Sequence, residues 1–165
     1  MLPEALAQAR ALFDDLTPLR SDCGLTCGGA CCRPMEGENT GMLLFPGEEA
    51  LYEGKKGYRV LDTEMGKLLI CSGMCDRADR PLSCRLFPLL PVMRGGKIRA
   101  EMDERAQPVC PLMRYGRDGL LASFVEGVEA VGSGLWEDAA QAEFIMRLTE
   151  EQDQLRALRR TLAGR

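Results

Sequence analysis

The run Cys23-Gly-Leu-Thr-Cys27-Gly-Gly-Ala-Cys31-Cys32 restricts what this chain can fold into more than any other stretch. It holds four of the eight cysteines within ten residues, with three glycines threaded between them. The other four follow more loosely, as Cys71, Cys75, Cys84 and Cys110. Three residues separate Cys23 from Cys27, Cys27 from Cys31, and Cys71 from Cys75. Cysteines this close can turn back onto one ion at a thiolate bond length of about 2.3 Å. In a helix such a pair shares a face; in a loop it closes a small chelate ring. Gly24, Gly28 and Gly29 suit the loop, because glycine takes left-handed backbone angles and lets amide N–H groups approach sulfur. Cys31 and Cys32 are neighbours, and adjacent side chains diverge, so one of them is expected to point to the core or to a second site.

Three arrangements would account for so many thiols. A disulfide framework has about 105 possible pairings and needs an oxidising compartment. The opening Met1-Leu2-Pro3-Glu4-Ala5-Leu6 has neither the basic nor the apolar stretch of a secretory signal, so disulfides are not expected. Unrelated buried thiols would not cluster in this way. Metal coordination remains, and with it a reducing, cytoplasmic setting.

The chain has no histidine. That excludes mixed cysteine–histidine zinc sites, histidine acid–base chemistry and Cys–His nucleophilic dyads. A metal here must be held chiefly by thiolates, the soft ligand class that selects zinc, Cu(I) or iron–sulfur clusters.

At 165 residues the sequence has the length of one domain with a sizeable core, and a single domain over 1–165 is expected. Its cysteine-cluster core covers about 23–111, followed by a helical part over about 117–163. A net charge of −4 with dispersed basic residues gives no electrostatic footprint for nucleic acid. The longest apolar stretch, Leu86 to Met93, is broken by two prolines and is too short to span a membrane.

In chain order, Leu2, Leu6, Ala9 and Phe13 keep helical spacing from Pro3 to about Asp15. A polar loop is expected from Pro34 through Gly41, then a short strand at Met42–Phe45 and a helical turn over Pro46–Tyr52. Tyr58–Leu61 and Lys67–Ile70 read as strands around a turn at Glu64-Met65-Gly66. The second would deliver Cys71 and Cys75 from a strand end into a Ser72-Gly73 turn, as ligands on the knuckle of a hairpin or simply as a hairpin end. Arg77, Arg80 and Arg85 surround Cys84, where they would offset the −2 charge of zinc with four thiolates or else be merely solvated. Leu90–Val92 and Lys97–Met102 flank Gly95-Gly96, a hairpin signal. Asp118 is placed to cap a helix with an apolar stripe from Leu120 to Val131, ending at Gly132-Ser133-Gly134. A longer helix from about Trp136 to Leu162 has a charged far end. That end reads as solvated first, and as a surface for a protein partner second. The order predicts an α+β fold: a small antiparallel sheet with cysteine-rich metal loops, flanked by N- and C-terminal helices.

Cys27-Gly-Gly-Ala-Cys31-Cys32-Arg33, followed by Arg80-Pro81-x-x-Cys84-Arg85-x-Phe87-Pro88, resembles the YkgJ-type cysteine-cluster proteins. That family is described as a zinc- or iron-chelating domain with eight cysteines. The resemblance covers about residues 23–111, and the gaps of three residues before the paired cysteines are longer than is usual there. It implies a metal-binding protein holding zinc or an iron–sulfur cluster through Cys23, Cys27, Cys31, Cys32, Cys71, Cys75, Cys84 and Cys110. The alternatives are an iron–sulfur redox protein or electron carrier, and an interaction module that zinc merely stabilises. The ligands are expected from both halves of the motif, as two four-sulfur sites or as one cluster plus structural thiols.

Overall fold

A computed structural model describes residues 1–33, 41–73 and 75–164. Most of the polar loop expected before Gly41 lies outside them. Helix α1 (Glu4–Leu12) starts after Pro3, whose fixed backbone angle suits a helix entrance, and it buries Leu6 and Ala9. Strands β1 (Met42–Leu43), β2 (Tyr58–Thr63) and β3 (Gly66–Cys71) form an antiparallel sheet in the order β1-β3-β2. A short helix, α3 (Leu82–Leu86), leads into β4 (Leu89–Arg94) and β5 (Lys97–Met102), a separate two-stranded antiparallel sheet. Between α1 and β1 lies one more short helix, α2 (Gly24–Cys27). Helices α4 (Ala122–Leu135) and α5 (Ala139–Ala163) complete the α+β architecture.

The strands form two sheets because the outer edges of the β4–β5 pair are taken. On the β5 side, the Ala100 N–H donates to Glu129 at 3.3 Å and its carbonyl accepts from Arg117 at 3.0 Å. On the β4 side, the Met93 N–H donates to the Thr149 hydroxyl at 3.0 Å, and Pro91 has no N–H to offer. Side chains from the helices thus satisfy the groups that a third strand would need. The turn of this hairpin is Gly95-Gly96, with φ of 57° and 77°, the left-handed pair that a tight two-residue connection demands.

The larger core joins α1, α4, α5 and the β4–β5 pair. Phe13 meets Phe124 edge-on at 5.6 Å, and Phe45 meets Phe144 at 5.0 Å. Each such ring, being almost wholly buried, contributes about 1.5–3 kcal/mol through burial. A smaller cluster of Leu44, Tyr52 and Leu69 lies beneath the three-stranded sheet.

Two expectations about the C-terminal half need correction. Asp118 lies in a 3-10 turn (Arg117–Gly119) and caps nothing; Leu121 occupies the N-cap of α4. Gly132 to Gly134 lie inside α4 rather than breaking it. Gly132 is there for closeness, since a Cβ on it would come within 2.6 Å of Pro91 and 2.7 Å of Ile98. The break comes later, where the Asp138 carboxylate accepts from the N–H groups of Ala140 and Gln141 at 3.0 and 3.1 Å. Helix α5 overhangs the core, leaving Leu158 and Leu162 exposed. Among the described residues, no helix is long and apolar enough to cross a membrane.

Candidate metal centre

The Cys23–Cys27 segment folds as helix rather than loop. The Asp22 carboxylate accepts from the Gly24 N–H at 3.0 Å, and the Asp22 carbonyl accepts from the Leu25 N–H at 3.0 Å. This turn starts α2, with Cys23 at its N-cap and Cys27 as its last residue. Gly28 and Gly29 then take φ of 64° and 70°, so glycine is required after the helix and not within it. The chain reverses into a 3-10 turn (Ala30–Cys32) that carries the paired cysteines.

Cys71 ends β3, opposite Tyr58 and at the open end of the β2–β3 hairpin, away from its turn. The strand end thus leads Cys71 into Ser72-Gly73 as expected, away from the Glu64-Met65-Gly66 turn. Cys84 lies in the middle of α3, and Cys110 directly precedes a 3-10 turn (Pro111–Arg114). All eight cysteines are free thiols.

Two adjoining cavities collect them. The larger, of about 150 Å³, is lined by Cys23, Cys31, Cys32, Cys71, Cys75 and Cys84. Asp22, Tyr58 and Arg80 share its wall. The smaller, of about 20 Å³, is lined by Cys23, Cys27, Cys31 and Cys110, among apolar neighbours such as Phe87, Val109 and Leu112. Each cysteine anticipated from the sequence lines at least one of the two. Among the described residues, no three Cys, Asp or Glu side chains are already drawn together at the spacing of a bound ion. The donor set nonetheless suits a thiophilic ion, since soft sulfur predominates and histidine is absent.

Cys31 and Cys32 both line the larger cavity, and Cys31 lines the smaller one as well. The two neighbouring thiols shift each other's acidity in opposite directions. Cys32 falls to about 6, through the hydrogen bond from Cys31 and then the charge of Arg80. Cys31, the donor, is pushed up by the same hydrogen bond, by burial and by the charge of Cys32.

The other shifts follow the cavities. Burial raises Cys23 first, and then the charges of Asp22, Cys27 and Cys110. Burial raises Cys84 strongly, followed by the charges of Cys32, Cys75 and Cys71. Cys75 rises through burial and the charge of Cys71, against the opposing pull of Arg80. Crowded thiols hold one another protonated, and a cation among them reverses that balance.

The three arginines around Cys84 divide by role. Arg85 is buried; it donates to the carbonyls of Arg80, Arg77 and Ala78 at 2.9, 3.2 and 3.0 Å, and pairs with Asp14. Arg77 donates to the carbonyls of Phe13 and Leu16 at 3.2 and 3.1 Å. These two fasten the segment after Cys75 to α1 and α3. Of the three, Arg80 is the one that lines the larger cavity, lying 3.9 Å from the Asp22 carboxylate.

Glu48, Asp22 and Tyr58 have no counterpart among the residues singled out in the sequence. Glu48 is fully buried, pairs with Arg10 and accepts from the Leu82 N–H at 2.7 Å, which anchors the helix bearing Cys84. A carboxylate after Pro46-Gly47 gives no periodic signal that it will be buried. Tyr58 was visible only as a strand residue, and Asp22 gave no signal of its own.

The chain matches no family model, no curated protein and no solved structure.

Proposed function

We propose that this chain is a metal-binding cysteine-cluster protein holding zinc or an iron–sulfur cluster, in keeping with its resemblance to the YkgJ-type proteins. One observation carries the reading: eight thiols spread from Cys23 to Cys110 line just two adjoining cavities. Four parts of the chain bring them there: α2 with its following turn, the open end of the β2–β3 hairpin, α3, and the segment before the Pro111–Arg114 turn. Free thiols in such number suit a reducing compartment, and the cytoplasm is the proposed location. Arg80 would offset negative charge in the larger cavity, where four thiolates around Zn2+ leave −2.

An iron–sulfur redox role is the second reading, favoured by the size of the larger cavity. About 150 Å³ accommodates a group of several atoms, whereas a single ion needs far less. Metal analysis of anaerobically purified protein, with its visible spectrum, separates the two. Zinc with a colourless spectrum supports the first metal, and iron with acid-labile sulfide and visible absorbance supports the second. Protein with reduced thiols that retains neither metal and takes up neither on reconstitution overturns both. Ligands from both halves of the motif are tested by Cys71→Ser and Cys84→Ser, each expected to lower bound metal. Full stoichiometry in both variants would confine the ligands to Cys23–Cys32.

A further inference from the structure

The cavities partition the thiols more finely than the sequence does. Cys32, Cys71, Cys75 and Cys84 line the larger cavity and not the smaller. Cys27 and Cys110 line the smaller and not the larger. Cys23 and Cys31 lie on the wall between and line both. The larger cavity thus has four thiols of its own, while the smaller reaches four only with the two that are shared.

Resting on the metal-binding reading, we propose that the chain carries two separate four-thiolate sites. One is made by Cys23, Cys27, Cys31 and Cys110, the other by Cys32, Cys71, Cys75 and Cys84. Each takes a soft, thiophilic cation. The boundary runs through the peptide joining Cys31 to Cys32, so the adjacent pair is split between sites and not spent on one ion.

The two sites differ in surroundings. The smaller is apolar, has the volume of about one water molecule, and has no charged side chain on its wall. It fits one enclosed ion that ties the Cys110 segment to α2. The larger site joins the β3 end to α3 and has Arg80 and Asp22 at its edge, with room beyond a single ion.

The test uses the full chain, stripped under anaerobic reducing conditions and titrated with Co(II), whose thiolate charge-transfer and ligand-field bands report tetrahedral sulfur coordination. Two equivalents are expected. A chelator is then added stepwise with N-ethylmaleimide present, and the labelled cysteines are mapped by mass spectrometry. The four thiols of one site should become reactive together, followed by the four of the other. A single equivalent, or a released set that mixes Cys110 with Cys71, Cys75 or Cys84, overturns the partition while leaving metal binding intact. Absence of any cobalt binding overturns the metal reading itself. Cys110→Ser and Cys75→Ser provide a second measurement, with circular dichroism as the control for folding. Each folded variant should lose one equivalent and keep the other, and loss of both from either one counts against separate sites. Should either variant fail to fold, the labelling order of the unaltered chain decides.

Discussion

The Glu48 carboxylate accepts the Leu82 backbone N–H at 2.7 Å, with no exposed surface of its own. This bond joins the 3-10 turn after β1 to the first turn of α3, two residues before Cys84. The same oxygen pairs with Arg10 from α1, so one carboxylate fixes three elements around the cysteine helix. Burial works against its ionisation and raises its pKa, while Arg10 and the Leu82 N–H work the other way. Removing it leaves the Arg10 guanidinium, itself nearly buried, without its partner.

Glu48→Ala is therefore expected to destabilise the fold by about 3–5 kcal/mol, the range for breaking a buried ion pair from one side. Glu48→Gln keeps one acceptor for Leu82 and should cost less. Denaturant unfolding of the two variants beside the unaltered chain measures the difference. Equal stability of all three would show that the pair is not structurally important.

Metal removal should weaken the whole molecule. Thiolate sites assemble only in the folded chain, so their binding energy becomes folding energy, about 10 kcal/mol or more for structural zinc. A strong chelator with reductant should lower the thermal midpoint sharply. The loss should be greatest near α2 and the Cys110 segment, and least in the α4–α5 pair, whose helices carry no cysteine. Hydrogen exchange resolves the two regions, and uniform protection after the metal has left would contradict the expectation.

Two glycines of α4 give opposite predictions. At Gly132 an added methyl meets Pro91 and Ile98 at distances that real side chains do not tolerate. Gly132→Ala should cost about 1–3 kcal/mol through overpacking of α4 on the β4–β5 pair. Gly134 is exposed, and nothing lies within 4 Å of an added Cβ. Gly134→Ala should stabilise by about 0.5–1 kcal/mol, because alanine loses less backbone freedom in a helix. Thermal melts of both variants check the signs, and a shift in the same direction for both would refute the packing argument.

The contrast at Gly132 shows what the sequence could not disclose. Gly132-Ser133-Gly134 has the composition of a break, and only the nearness of Pro91 and Ile98 makes the first glycine a contact residue. Local signals were otherwise good guides. The Gly95-Gly96 turn, the β2 and β3 strands around Glu64-Met65-Gly66 and the apolar stripe of α4 could be recognised because each depends on neighbours in the chain. The eight thiols were visible as candidates for the same reason. Their grouping was not, because Cys27 and Cys110 meet through α2 packing beside the turn after β5, which no spacing rule encodes. Splitting the strands into two sheets was equally hidden, since Thr149, Glu129 and Arg117 close the edges from distant segments.

The acidic side of the stability profile should depend on Glu101. Its carboxyl is held below the usual carboxylate range, first by the hydrogen bond from Arg94 and also by Arg156, against an opposing effect of burial. Arg94 donates to it at 2.8 and 3.0 Å while also pairing with Asp153 of α5, and Arg156 donates at 3.0 Å. The network fastens the β4–β5 pair to the last helix. A group that is more acidic in the folded chain binds fewer protons there than when unfolded, so stability rises with pH through that window. The contribution is complete above the ordinary glutamate value near 4.3 and is lost as pH falls through the depressed folded value. Because the site is partly open to solvent, the effect is modest, of the order of 1 kcal/mol or less. Glu101→Gln should then be less stable than the unaltered chain at neutral pH, with the gap closing under strongly acidic conditions. Metal loss in acid affects both proteins alike, so the difference between their unfolding free energies isolates the carboxylate. A gap that stays constant across the acid range would mean that Glu101 has the same acidity folded and unfolded.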